Sequence, residues 1–328
     1  MMPETAARYV IGVDIGATNT RAAVIDSTDG RLVARQKMLT EAARGPDDGL
    51  RRIGELIHQV LSEAGIGHES LRGIGIGSTA PIDVARGRIQ NPYTLPTWDD
   101  VPVVDFLTER FRLPAILLTD THVAALGEYH AGAGQGSQHM LYVTISTGIG
   151  GGIVANGRLY RGVGQLSGEV GHQVLDLDGE PCYCGARGCW EMLASGPAMA
   201  RFAAQRSEDG SLLMRLARGD RQNITGKLVV EAARQGDSMA QAIVAQTGRY
   251  IGIGLANLMN ILAPEVIVLG GGVMQSWEML EKPILEGINE RKGLVPFEQV
   301  KIVPAALGDD AGVVGAAYAL LKHLQGDL

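Results

Sequence analysis

The chain has 328 residues, 45% of them hydrophobic, enough for two ordinary domains around a buried core. Charged residues make up 20% in mixed sign and the formal net charge is −7, which points away from nucleic acid and from a polybasic membrane tail. No apolar run reaches the roughly 18 residues of a membrane span, and Met1 to Arg8 lacks the basic and apolar stretches of a secretory leader, so a cytoplasmic location is expected.

The first third alternates strands and helices. Tyr9 to Asp14, Arg21 to Asp26 and Leu32 to Leu39 are short apolar runs separated by the turns at Gly16 and Asp29-Gly30, a predicted β-meander. A helix follows, with Leu50, Ile53, Ile57, Val60 and Leu61 on one face and Gly65 placed as its C′ residue. Gly73 to Gly77 and Ala115 to Thr119 are predicted buried strands. A second cycle opens at Met140 to Ser146, a strand running into Thr147-Gly148-Ile149-Gly150-Gly151-Gly152, so two related lobes are predicted. Helices dominate from Ala198 to Leu262 and stop at Pro264. A strand at Val266 to Leu269 meets Gly270-Gly271-Gly272, and Ala311 to Leu324 is a last helix able to return to the first lobe.

All three cysteines lie between Cys182 and Cys189, an odd and tightly clustered set that suits a metal better than disulfides. With His172, Cys182, Cys184 and Cys189 supply three thiolates and one imidazole, a closed tetrahedral set of the kind structural zinc requires. Gly16-Ala17-Thr18 and Thr147-Gly148-Ile149-Gly150 each leave a strand and bend sharply, exposing backbone amides and hydroxyls to an anion. Either one alone is equally a plain turn. No GxxxxGK[ST], GxSxG or HExxH match is present, and no clean GxGxxG follows a strand. Asp120 closes the strand Ile116 to Thr119 and opens a helix, so it is either an N-cap or a carboxylate aimed into a cleft as a general base. Glu169 and Glu191 flank the cysteine cluster, as surface charges or as substrate contacts on a rigid loop.

Several of these stretches together carry a family resemblance. Asp14-Ile15-Gly16-Ala17-Thr18 resembles the first phosphate loop of the ROK family of repressors, uncharacterised open reading frames and kinases. Ser146 to Val154 resembles its second phosphate loop, and Leu269 to Val273 its adenosine-side loop. Gly168-Glu169-Val170-Gly171-His172, Cys182-Tyr183-Cys184-Gly185 and Gly188-Cys189-Trp190-Glu191 are similar to the ROK signature over its whole length.

The resemblance implies an α/β protein of the two-lobed hexokinase and actin-like ATPase (ribonuclease H-like) fold, with ATP in the interdomain cleft. It implies a small lobe of residues 1–121 plus about 312–328, and a large lobe of 122–311 carrying the zinc loop and the nucleotide-side helices. Asp120 would then be the base that takes the proton of the attacking sugar hydroxyl, while Ala80, Thr94, Thr119, Glu169, His172 and Glu191 line the sugar. Asp14 would orient Mg²⁺ through water, and Gly16, Thr18, Asn19, Thr147, Gly148, Gly271 and Gly272 would face the nucleotide. A homodimer or homotetramer is the usual assembly of such kinases.

The chain departs from the family pattern at five places. Ala17 replaces a common glycine, Thr119 and His122 replace common asparagines on either side of Asp120, and Thr94 stands where a sugar-binding asparagine is frequent in the loop Asn91 to Trp98. Ala80-Pro81 stands where a glycine-containing loop touches the sugar. Threonine cannot offer the paired donor and acceptor of an amide, so these positions bear on sugar identity. Gly188-Cys189-Trp190-Glu191 resembles the family's glucokinases more than its amino-sugar kinases, which makes glucose the expected acceptor. The alternatives are N-acetylmannosamine, N-acetylglucosamine, fructose or another hexose. A sugar-sensing repressor would carry a DNA-reading domain ahead of the first phosphate loop, and the thirteen residues before Asp14 leave no room for one. A non-catalytic sugar binder would not need Asp120.

Overall fold

The computed structural model describes residues 7–90, 93–291 and 296–328. Met1 to Ala6 of the predicted start, and Asn91 and Pro92 of the sugar-side loop, lie outside the described residues. Two compact units are present: Met1–Tyr142 with Gly152–Gly168 and Ala305–Leu328, and Val143–Gly151 with Glu169–Pro304.

The first unit is built on the meander β1 (Tyr9–Ile15), β2 (Asn19–Asp26) and β3 (Leu32–Leu39), followed by helix α1 (Pro46–Ala64). Proline at the first helical position and Gly65 in the left-handed region bound α1, because proline lacks only an amide that would go unpaired there and glycine accepts a positive φ. Next come β4 (Leu71–Ser78), a small hairpin of β5 (Ile82–Asp83) and β6 (Arg88–Ile89), α2 (Val103–Phe111), β7 (Ala115–Thr119) and α3 (Asp120–Ala131). The sheet order is β3-β2-β1-β4-β7, antiparallel through the meander and parallel from β1 to β4 to β7.

Alternate residues of β1 serve opposite faces of this sheet. Ile11, Val13 and Ile15 join Leu50, Ile53, Ile57 and Val60 of α1 and Leu107 and Phe111 of α2 in one core. Val10, with Ala23 and Ile25 of β2, packs on the other side against Val313, Ala317 and Leu320 of the last helix, α10 (Ala311–Gln325). Here backbone meets backbone: a Cβ on Gly12 would lie 1.9 Å from the Val313 carbonyl oxygen, and one on Gly315 would lie 1.5 Å from that of Val123 in α3. The helix α3, assigned by the sequence to a large lobe starting at residue 122, thus sits in the first unit, and so does Gly152–Gly168. The close approach of α3 and α10 through Gly127 and Gly315 is what holds it there.

A second sheet has the order β10-β9-β8-β11-β12, the same connectivity as the first. Its strands are β8 (Met140–Ile145), β9 (Ile149–Ala155), β10 (Arg158–Tyr160), β11 (Val266–Gly270) and β12 (Lys301–Pro304). The predicted strands Met140 to Ser146 and Val266 to Leu269 appear in it as β8 and β11. The helices of the second unit are α4 (Trp190–Ala194), α5 (Gly196–Arg206), α6 (Leu212–Leu216), α7 (Gly226–Arg234), α8 (Ser238–Leu262) and α9 (Trp277–Asn289). The long α8 ends at Ala263, before Pro264, and Gly248 and Gly252 let α9 approach it closely. Among the described residues no helix is long and apolar enough to cross a membrane.

Candidate active site

In the first unit the chemistry gathers at the carboxyl ends of three neighbouring parallel strands, where ligands of open α/β sheets are bound. Ile15, Ser78 and Thr119 are level with one another across β1, β4 and β7. The residues that leave the sheet next are Gly16, Thr79 and Asp120. Gly16 opens a tight turn closed by its amide on the Asn19 carbonyl at 3.1 Å. The turn is braced from behind: the Thr40 hydroxyl donates to the Gly16 carbonyl at 2.7 Å, the Thr40 amide donates to the Thr18 carbonyl, and the buried Thr20 hydroxyl lies 3.0 Å from that of Thr40.

Asp14, two residues before the turn, has a side chain only 15% exposed, with the Arg21 guanidinium 3.7 Å away. The first turn of α10 presses on it, since a Cβ on Gly312 would come within 2.7 Å of the carboxylate carbon. Burial pushes the Asp14 carboxyl up to about 6; Arg21 opposes the shift and Asp309 adds to it. A carboxylate this desolvated gains by meeting a cation.

Asp120 is the first helical residue of α3, and the cap is Thr119, whose hydroxyl accepts from the His122 amide at 3.3 Å. Capping is thus done by the neighbour of Asp120. One Asp120 oxygen accepts from the Thr121 amide at 2.8 Å. Thr119 itself is 4% exposed, with its hydroxyl engaged at the helix start. Thr94 is exposed and donates to the Thr79 hydroxyl at 3.2 Å, so it does lie beside the segment that leads into Ala80-Pro81.

In the second unit, Ser146 to Gly150 forms a tight turn closed by the Ser146 amide on the Gly148 carbonyl at 2.8 Å. Glu191, in the short helix α4, is 7% exposed and accepts from the Ile149 amide at 2.7 Å. A Cβ on Gly148 would come within 2.5 Å of the same carboxylate oxygen, so glycine is what lets loop and carboxylate meet. The Tyr183 hydroxyl also donates to Glu191, and burial followed by the Glu191 charge pushes the Tyr183 phenol well above its usual range. Tyr183 lies inside the signature stretch but is given no role there, and the Thr20–Thr40 brace has no motif to mark it.

The donor atoms of His172, Cys182, Cys184 and Cys189 all lie within 4.8 Å of one another. Cys182 Sγ is 3.6 Å from His172 Nδ1 and Cys184 Sγ is 3.6 Å from Cys189 Sγ. A zinc tetrahedron with about 2.3 Å to sulfur and about 2.0 Å to nitrogen has edges of about 3.5–3.8 Å, so the set fits that ion. The loop is shaped for it: Gly188 has φ 62°, and a Cβ there would strike the Asp176 carbonyl oxygen at 1.6 Å. Next to the cluster, Trp190 is fully buried over Gly254 and donates to the Tyr250 carbonyl at 2.9 Å, anchoring α4 on α8. With Nδ1 turned to the thiols, the other imidazole nitrogen of His172 lies 3.9 Å from Glu169, whose side chain is 60% exposed.

A cavity of about 970 Å³ opens in the second unit beside the turn that starts at Ser146. Ser146, Thr147 and Gly272 form one side, and Pro197, Met199, Ala200, Ile224 and Val230 give it apolar walls. Gly271 has φ 91°, and a Cβ there would sit 2.4 Å from the Ile145 carbonyl oxygen, so β11 can turn into the cavity wall only through glycine.

Residues 10–323 match the family model described as "ROK family". The chain is 36% identical to a glucokinase of Halalkalibacterium halodurans, over 96% of both chains, and 33% identical to a glucokinase of Thermotoga maritima, over 97% of this chain and 98% of that one. Among solved structures, a ROK family glucokinase of Streptomyces griseus in complex with glucose and AMPPNP superposes with a TM-score of 0.81 at 34% identity, covering 95% of this chain and 98% of that one.

Proposed function

The chain belongs to the ROK family, and from that premise we propose that it transfers the γ-phosphoryl group of ATP to glucose, giving glucose 6-phosphate and ADP. The observation that carries this reading is Asp120, placed at the carboxyl end of β7 with the capping duty taken over by Thr119. Asp120 accepts the proton of the attacking sugar hydroxyl, the hydroxyl oxygen bonds to the γ-phosphorus, and the bond to the ADP oxygen breaks. Glu169, His172 through its outer nitrogen, and Glu191 hold sugar hydroxyls, with Ala80 and Thr94 on the sugar-side loops.

Gly16, Thr18 and Asn19, in the first unit, and Thr147, Gly148, Gly271 and Gly272, in the second, serve the nucleotide. The apolar walls of the 970 Å³ cavity suit a nucleoside and favour ATP over polyphosphate as donor. Asp14 would orient Mg²⁺ through water, and the ion would neutralise phosphate charge. The four cysteine and histidine donors hold a structural zinc. A cytoplasmic homodimer or homotetramer completes the reading.

The test is ADP release from ATP and Mg²⁺ against a panel of hexoses and N-acetylhexosamines, compared by kcat/KM. Glucose should lead the panel. A different leading sugar, such as N-acetylmannosamine, N-acetylglucosamine or fructose, moves the acceptor assignment to the loop of Thr94. Turnover that no sugar stimulates, in folded and metal-replete protein, overturns the kinase reading.

A further inference from the structure

We propose that His122 is a positioning residue for sugar binding: its ring braces the segment Arg161–Gly168, which runs directly into Glu169. The inference rests on the roles proposed above for Asp120 and Glu169. The segment has no apolar anchor of its own. Gly162, Gly164, Gln165 and Gly168 all have positive φ, Val163 is 98% exposed and Leu166 is 37% exposed, so no apolar side chain of the segment is buried. Four of its bonds are internal, from the Ser167 amide to the Arg161 carbonyl at 2.9 Å, from the Gln165 amide to the Gly162 carbonyl and the Leu166 amide to the Val163 carbonyl, both at 3.3 Å, and from Arg161 to Gln165 at 2.6 Å. At its start Arg161 also donates to the Leu328 carbonyl at 2.7 Å, six residues away from Ser167. Another ties the Ser167 hydroxyl to the carbonyl of Tyr160, the residue just before the segment.

His122 reaches the segment from a fixed point. It is fully buried in the first turn of α3, two residues after Asp120, with its amide bound by the Thr119 cap. Its Nε2 lies 2.8 Å from the Ser167 carbonyl oxygen and 3.2 Å from the Ser167 hydroxyl. A carbonyl only accepts, so Nε2 carries the proton. Nδ1 is buried without a protein partner, which leaves a second proton there nowhere to go; burial accordingly holds the imidazole below its usual pKa, as a neutral donor. One ring thus joins the helix start that carries Asp120 to the backbone two residues before Glu169. The asparagine common in the family at this position would end about one bond short of the carbonyl. Glutamine, whose amide nitrogen extends about as far as Nε2, would reach it.

The test compares wild type, His122→Leu and His122→Gln as full-length protein, by amide hydrogen exchange over residues 160–169 and by steady-state kinetics. In His122→Leu, exchange at Ser167 to Glu169 should speed up and the KM for glucose should rise roughly tenfold, the worth of one lost hydrogen bond. KM for ATP and kcat should stay within about twofold, a split that general destabilisation would not produce. His122→Gln should restore both readouts. Unchanged exchange in His122→Leu overturns the brace, and a raised glucose KM that glutamine leaves raised overturns the hydrogen bond as its cause. Absence of glucose turnover in wild type would instead count against the kinase reading, with exchange still deciding the brace.

Discussion

Glu191 links three parts of the second unit, and removing it separates their contributions. Its carboxylate accepts from the Ile149 amide at 2.7 Å and from the Tyr183 hydroxyl, and Ile149 is only 3% exposed. Glu191→Ala therefore leaves a buried amide without its acceptor, at a cost of about 1–3 kcal/mol, with the charge of the lost partner favouring the upper end. That cost falls on the turn Ser146 to Gly150 whenever it must be ordered around phosphate, so KM for ATP should rise roughly 5- to 150-fold. Glu191→Gln keeps a carbonyl oxygen for the Ile149 amide but loses the charge. It should leave KM for ATP within about threefold while raising KM for glucose about tenfold or more. The assay is ADP release with ATP varied at saturating glucose and then the reverse, alongside melting temperature and zinc content. A folded, zinc-loaded Glu191→Ala enzyme with KM for ATP within about twofold of wild type would show that the carboxylate does not support the phosphate loop.

Asp120→Asn keeps an oxygen for the Thr121 amide and leaves the Thr119 cap untouched, so it should fold normally and lose roughly 10²- to 10⁴-fold in kcat; near-full turnover would remove Asp120 as the base. Cys184→Ser should strip most of the zinc, measured by elemental analysis, and lower the melting temperature. Asp14 has a folded pKa of about 6 against an ordinary 3.8, so the native state favours the protonated acid and loses that advantage as pH rises through about 6. In the absence of Mg²⁺ and ATP, Asp14→Asn should thus be more stable than wild type at pH 8, by on the order of 2–3 kcal/mol, with the difference vanishing near pH 4. Activity should fall in the same variant. An equal gain at both pH values would mean that desolvation of the charge is not its source.

The grouping of His172, Cys182, Cys184 and Cys189 was legible because the four donors lie within one short stretch and their chemistry admits few other uses. The meander and α1 were legible because each buries a face at its own period, and the left-handed C′ position at Gly65 demands glycine. What escaped the sequence depends on contacts between distant residues. The cap at Thr119 rather than Asp120 is a one-residue difference set by backbone angles, with Thr119 at φ −68° and ψ 151° and still extended. The membership of α3 in the first unit is set by Gly127 and Gly315, glycines that look unremarkable until a Cβ at Gly315 is found to strike the Val123 carbonyl oxygen. The Glu191–Ile149 bond spans forty-two residues and has no local signal.

The packing of α10 also sets an order of events. The side of the first sheet formed by Val10, Ala23 and Ile25 is covered by Val313, Ala317 and Leu320, from a helix that leaves the ribosome about 285 residues after β2. At about 5–20 residues per second, that apolar surface is made roughly 15–60 s before its cover. During this interval the second unit is synthesised in full. The first sheet therefore waits for this cover until the end of synthesis, and the backbone-to-backbone approach of Gly12 to Val313 leaves no space between β1 and α10 once the helix arrives.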